Sequence, residues 1–142
     1  MLFGEFDYKV DEKGRVLIPP KFRRELGGEE IVLTPGIERC ITVYPLSRWK
    51  KISAGLVSDQ LTQSKLRKLN RAMFASAFSI RLDGQGRIIL PVTLRDYASI
   101  GEDVVIAGAN TYFELWNKAD WEEEKANSQA EAWHIIESLE RR

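Results

Sequence analysis

The sequence predicts an α+β fold in which two repeats close one β-barrel around a pseudo-twofold axis, with flanking helices. Three observations predict it: an internal repeat, a strand–turn–strand pattern in each copy, and strand edges that neither copy could cover alone. Asp11-Glu-Lys-Gly-Arg-Val-Leu-Ile-Pro19 recurs 72 residues later as Asp83-Gly-Gln-Gly-Arg-Ile-Ile-Leu-Pro91. Asp, Gly, Arg and Pro keep their places, and the three residues before the proline stay apolar. Phe6 pairs with Phe78, Val10 with Leu82, Arg23 with Arg95 and Trp49 with Trp121. Gly28-Glu-Glu-Ile-Val-Leu33 resembles Gly101-Glu-Asp-Val-Val-Ile106 after one inserted residue. Self-similarity held over that length marks a tandem duplication.

Each copy reads as β-turn-β-α-β-β-α. The alternating Phe6, Tyr8, Val10 and Phe78, Ile80, Leu82 are first strands. Asp11-x-x-Gly14 and Asp83-x-x-Gly86 are turns: Asp bonds the backbone ahead of it, and Gly takes positive φ without a steric cost. Arg15–Ile18 and its equivalent are second strands, each ended by a proline suited to a first helical turn. Short helices follow over Pro20–Leu26 and Val92–Ala98. Strands then cover Ile31–Leu33 and Cys40–Tyr44, and Val104–Ile106 and Tyr112–Trp116, with a helix carrying Trp49 or Trp121 after each pair. A unit of about 50 residues leaves such strands with open edges, so the two units are expected to pair into one barrel. The resulting division is 1–53 for the first repeat, 54–77 for a helical spacer packed on the barrel, 78–121 for the second repeat and 122–142 for a C-terminal helix, all one unit. The spacer helix is read over Ser58–Ala77, with Leu61, Leu66, Leu69 and Met73 near one face and Lys65, Arg67, Lys68 and Arg71 as a basic cluster. The tail helix is read over Trp121–Leu139, with Glu122–Glu124 in its first turn.

Composition narrows the function. Net charge is zero, yet residues 1–72 hold 14 Lys and Arg against 9 Asp and Glu, and residues 73–142 hold 7 against 12. A nucleic-acid binder needs one positive face, not a positive total. No apolar run approaches a membrane span, no secretory signal is read at the N-terminus, and the one cysteine, Cys40, cannot form an internal disulfide. A cytoplasmic protein is therefore expected. Asp11 and Asp83 do not make an aspartic-protease dyad, because each is followed by a Gly turn and an Arg four residues on. The only histidine, His134, has no second ligand to share a metal. No enzyme, metal or cofactor is expected.

The paired Asp-x-x-Gly-Arg-apolar-apolar-apolar-Pro motifs resemble the signature of AbrB-like (SpoVT-AbrB) swapped-hairpin domains. Two copies at this chain length, opening with MLFGEFDYKVDEKGRVLIP, resemble the MraZ family over nearly the whole chain. That resemblance implies a swapped-hairpin barrel, double-stranded promoter DNA as partner and a nucleoid-associated protein. It further implies a homo-oligomeric ring and regulation of the bacterial division and cell-wall gene cluster, with autoregulation through repeats upstream of the operon. It implies neither a membrane partner nor a small-molecule substrate.

The candidate DNA-binding residues are Arg15, Arg87, Lys13, Lys9, Arg81, Lys21, Arg23 and Arg24, and the turn-forming ones are Asp11, Gly14, Asp83 and Gly86. Arginine's planar fork can bind guanine O6 and N7 together or clamp a phosphate. Arg15 and Arg87 are equivalent under the repeat. The alternative for both is an ion pair with Asp11 or Asp83 that holds the turn, and the two roles are compatible. Lys9 and Arg81 extend the first strands' basic edge. Lys21, Arg23 and Arg24 are either DNA-backbone contacts or a solvated helix face. A bare interaction module, such as a toxin-binding antitoxin, is the competing class; it would usually carry one motif copy and a disordered tail. The second turn has Gly84 and Gln85 where the first has Glu12 and Lys13, so it is the less cationic of the two and its share of any DNA affinity stays open.

Overall fold

The strands find their partners across the repeats, as a duplicated unit with open edges requires. The computed structural model describes residues 1–56 and 60–140. In chain order the elements are β1 (Glu5–Lys9), β2 (Arg15–Leu17), α1 (Pro20–Leu26), β3 (Ile31–Pro35), β4 (Ile41–Pro45), α2 (Leu46–Gly55), α3 (Gln63–Phe74), β5 (Phe78–Ile80), β6 (Arg87–Ile89), α4 (Val92–Ala98), β7 (Asp103–Gly108), β8 (Phe113–Trp116) and α5 (Lys118–Glu140). Six strands form an antiparallel sheet in the order β1-β7-β8-β4-β3-β5, and β2 and β6 pair separately. β1 of the first repeat pairs with β7 of the second, and β5 of the second pairs with β3 of the first. β2 and β6 are likewise one from each repeat. This exchange is the swapped hairpin.

The registers locate the pseudo-twofold axis. Val16 sits opposite its own equivalent, Ile88, in the ribbon, and Thr42 sits opposite its own equivalent, Glu114, at the centre of the sheet. Around the axis Ile18, Ile31, Leu33, Ile41, Val43, Ile106, Phe113 and Leu115 are fully buried. Burying one such side chain is worth about 1.5–3 kcal/mol. The core lies between the sheet and the ribbon, which contributes Val16, Ile18, Ile88 and Leu90. Because successive side chains on a strand alternate faces, Thr42 and Glu114 point away from this core. The outer face holds a second, smaller cluster of Cys40, Val105 and Trp116, against which Trp121 packs.

The expected closed barrel is realised as two layers. Among the described residues, β1 and β5 each have one ladder neighbour, and no ladder joins sheet to ribbon. The reason is local: β2 and β6 are three residues long and spend both their ladders on each other, so each Asp turn carries the chain from one layer to the other. The short helices fall at the expected residues, with left-handed C-caps at Gly27 and Ser99. The spacer helix is shorter than expected. It begins at Gln63, where the hydroxyl of Thr62 accepts from the Lys65 amide at 3.2 Å, and it ends at Phe74. Ser58, the expected start, lies outside the described residues. The tail helix starts three residues early, at Lys118, with the Asn117 side chain accepting from the Asp120 amide. Lys125 to Glu5 at 2.9 Å and Lys118 to Asp7 at 3.8 Å tie its first turns to β1. Beyond them Trp133, Ile135, Ile136 and Leu139 stand in solvent.

Since most of each repeat's strand partners belong to the other repeat, a fragment of residues 1–57 should have no fold of its own. Sedimentation with circular dichroism should find it unfolded, aggregated or dimerised by exchange. A monomer that melts cooperatively would contradict the swapped architecture.

Candidate nucleic-acid interface

Each Asp turn is built from its own side chain. In the first, Asp11 Oδ1 accepts from the amides of Lys13 and Arg15, both at 2.9 Å, while Oδ2 accepts from Arg15 Nε at 2.8 Å. In the second, Asp83 Oδ1 accepts from the amides of Gln85 and Arg87 at 2.9 Å, and Oδ2 from Arg87 Nε at 2.9 Å. The Arg15 amide above all, then its guanidinium and the Lys13 amide, hold the Asp11 carboxyl below the usual carboxylate range. Asp83 is lowered by the Arg87 amide first, then by the Gln85 amide and the Arg87 guanidinium. Both carboxylates thus remain charged at neutral pH and orient the arginines.

The ion pair and an outward role coexist in this geometry. Only Nε of each arginine is used by the carboxylate. The terminal Nη1 and Nη2 groups, four N–H donors on each guanidinium, have no hydrogen-bond partner among the described residues. In the ribbon Arg15 stands opposite Ile89 and Arg87 opposite Leu17, so the arginines are diagonal neighbours on the side facing away from the core. Diagonal cross-strand positions lie about 7–8 Å apart. Arg15, Arg81, Asp83 and Arg87 line one shallow groove with Ile80, Ile88 and Ile89. Ile89, 60% exposed, is an apolar patch beside the arginines.

The turns are locked by each other. Ile18 N–H donates to Gly86 C=O and Leu90 N–H to Gly14 C=O, both at 2.9 Å, so each repeat's second strand ends on the other repeat's turn. Gly14 and Gly86 both have φ near +78°, which explains the glycines.

The remaining candidates divide. Lys13 is exposed at the tip of the first turn. Arg81 lines the groove, whereas its equivalent Lys9 is paired with Asp103 on a strand face that also carries Glu5 and Asp7. Arg24 is exposed on α1, and Lys21 Nζ lies 3.9 Å from the centroid of the Phe3 ring. Arg23 does not lie on an open helix face. Its guanidinium crosses over Gly86 and donates to Gln85 C=O at 3.4 Å, bracing the second turn. Arg95 does the same for the first repeat, with Nη1 near Gly14 and Nη2 donating to Gly101 C=O at 3.2 Å. Sequence reasoning passed over Arg95, although the Arg23–Arg95 match in the repeat was the signal for a shared role. Among the described residues there is no group of three or more His, Cys, Asp or Glu that could hold a metal. No described helix is long and apolar enough to cross a membrane.

The family model "MraZ protein, putative antitoxin-like" matches residues 1–72 and again 73–139. The chain belongs to the MraZ family. A relative from Dehalococcoides mccartyi named Transcriptional regulator MraZ is 51% identical over 141 residues, covering 99% of each chain. Proteins of the same name from a Thermoanaerobacter species and from Acetivibrio thermocellus are 43% and 40% identical, covering 99% and 98% of this chain and 97% and 96% of their own. The family's two matched segments meet at residues 72 and 73, inside α3, so α3 is the join between the MraZ repeats.

The two turns differ in how tightly they are braced. A Cβ at Gly86 would sit 2.3 Å from Arg23 Nη1, whereas one at Gly14 would sit 3.3 Å from Arg95 Nη1. Both substitutions meet the left-handed penalty of about 1–2 kcal/mol. Gly86→Ala should therefore destabilise more than Gly14→Ala in denaturant melts. Equal losses would show that Arg23 yields freely and does not brace the turn.

Proposed function

We propose that this protein is a sequence-specific DNA-binding transcriptional regulator that seats the β2–β6 ribbon in the major groove. The observation that carries the reading is the pair of outward arginines, each oriented by its own aspartate and each with its terminal nitrogens free. A major groove about 12 Å wide admits a two-stranded ribbon. Arg15 and Arg87 suit guanine O6 and N7, and Ile89 suits a thymine methyl. The ribbon's pseudo-twofold centre, at Val16 and Ile88, supports a reading in which the two arginines meet the two DNA strands alike. Lys13, Arg81, Lys21 and Arg24 supply phosphate contacts, which set register without reading sequence. Lys9, paired with Asp103, contributes less, and Arg23 acts by holding the second turn in shape.

One molecule makes few contacts, so useful affinity calls for several acting together. A homo-oligomer, with a ring as the closed form, makes each further contact intramolecular and raises affinity by about 10²–10⁴. Its target is a set of repeats in one orientation, about one helical turn apart. Family membership supports promoter DNA of the division and cell-wall gene cluster as that target, including the region upstream of the protein's own gene. It likewise supports a cytoplasmic, nucleoid-associated location. The division into two repeats, spacer and tail belongs to the same reading: the repeats make the ribbon and the helices support it.

Binding to a duplex from the protein's own upstream region tests this reading, measured by fluorescence anisotropy. Arg15→Ala should lose about 1–3 kcal/mol, the value of one good bidentate base contact, or about 5- to 150-fold in Kd. Its melting should stay close to wild type. A variant that melts normally and binds that duplex as tightly as wild type would remove Arg15 from the interface.

A further inference from the structure

Between Arg39 and Leu82 the chain holds nine Lys or Arg residues and a single acid, Asp59. A protein of zero formal net charge has concentrated its cations in one stretch. Four of them, Lys65, Arg67, Lys68 and Arg71, lie exposed on α3. At about 100° per residue, Leu66, Leu69 and Met73 fall within about 60° of one another, Arg67, Lys68 and Arg71 take the opposite side, and Lys65 lies at the margin between them. Leu69 and Met73 face Thr42, Tyr44, Tyr112 and Glu114 on the outer face of the sheet, so the cations face solvent. Among the described residues none of the four is in an ion pair. Trp49 against Phe74, ring centroids 5.2 Å apart, holds α2 beside α3, and α2 adds exposed Arg48, Lys50 and Lys51.

The ribbon lies on the inner side of the sheet and α3 on the outer side, so a duplex seated on the ribbon leaves this surface unused. Its chemistry identifies the partner. The exposed large apolar side chains of the described residues lie elsewhere, none on α2 or α3. Protein interfaces are built on apolar anchors and are poor in lysine at their centre, which disfavours the apolar end of a second copy's α5. Clustered cations without anchors suit a polyanion. Double-stranded DNA presents one charge per about 1.7 Å of axis, and a helix of 12 residues runs about 18 Å.

We infer that α3, flanked by α2, is a second, sequence-independent site for the DNA backbone, so that one molecule holds two duplex segments on opposite faces of its sheet. The inference rests on the proposed groove only for the first of those segments. The test therefore silences the groove. The full chain carrying Arg15→Ala and Arg87→Ala, with Lys13→Gln, Lys21→Gln, Arg24→Gln and Arg81→Gln to remove that face's phosphate contacts, should still bind a random-sequence 30-base-pair duplex, with affinity falling steeply as salt rises. Adding Lys65→Gln, Arg67→Gln, Lys68→Gln and Arg71→Gln should remove most of that binding, with glutamine keeping the helix. In the otherwise unaltered chain the four changes should lower the slope of log K against log salt for random duplex by about 3–4, at about 0.9 for each phosphate no longer neutralised. A groove-silenced chain without residual binding would overturn the inference, as would an unchanged slope. So would a four-glutamine chain that keeps its DNA binding but changes its sedimentation, because the surface would then serve a protein partner. If Arg15 proves irrelevant to the upstream duplex while the groove-silenced results hold, the proposed groove fails and the second site stands.

Discussion

Two backbone hydrogen bonds, Ile18 to Gly86 and Leu90 to Gly14, join the end of each repeat's second strand to the turn of the other. Their position matters more than their energy, which for such bonds is about 0.5–1.5 kcal/mol each. They end the ribbon on both sides of the Val16–Ile88 pair and hold each Asp turn from outside its own repeat. A turn held only by its own aspartate could swing. Here the neighbouring repeat supplies a strand end and an arginine from α1 or α4. The result is a pair of guanidinium groups already oriented, so in the proposed binding little conformational entropy would remain to be lost.

The same exchange explains why duplication fused the two halves. As separate chains the units would have to find each other before either could bury Ile18, Ile31 or Leu33. In one chain the partner is always present, and the copies are free to diverge. They have diverged at the surface. β1 is five residues long and carries the paired Lys9, while β5 has three and leaves Arg81 in the groove. On the axis itself Thr42 faces Glu114. The second turn has lost the lysine of the first, yet the groove forms beside it, because Arg15 reaches in from the first repeat.

The repeat made most of this legible. Strand order follows from two units that must cover each other's edges, and α1 and α4 follow from proline at the first turn. What failed to show were features set by three-dimensional neighbours. The sheet with a separate ribbon depends on β2 and β6 pairing with each other rather than with a sheet edge. Arg23 read as a DNA-backbone contact or a solvated helix cation and Arg95 was passed over, and only the fold brings each against the other repeat's glycine. The exposure of the tail's Trp133, Ile135, Ile136 and Leu139 was not legible either, because it follows from how far α5 runs beyond the Lys125–Glu5 pair. The arginines of the motif were visible because their aspartates lie four residues away, inside the same turn.

Amide hydrogen exchange at Ile18 and Leu90 tests the mutual locking of the repeats most directly. Each amide bonds to the opposite repeat, so both should exchange only through global opening, with the same free energy and the same denaturant dependence. If one exchanges by a local, denaturant-independent opening while the other stays protected, the turns are not held by each other, and the two arginines do not form one preorganised site.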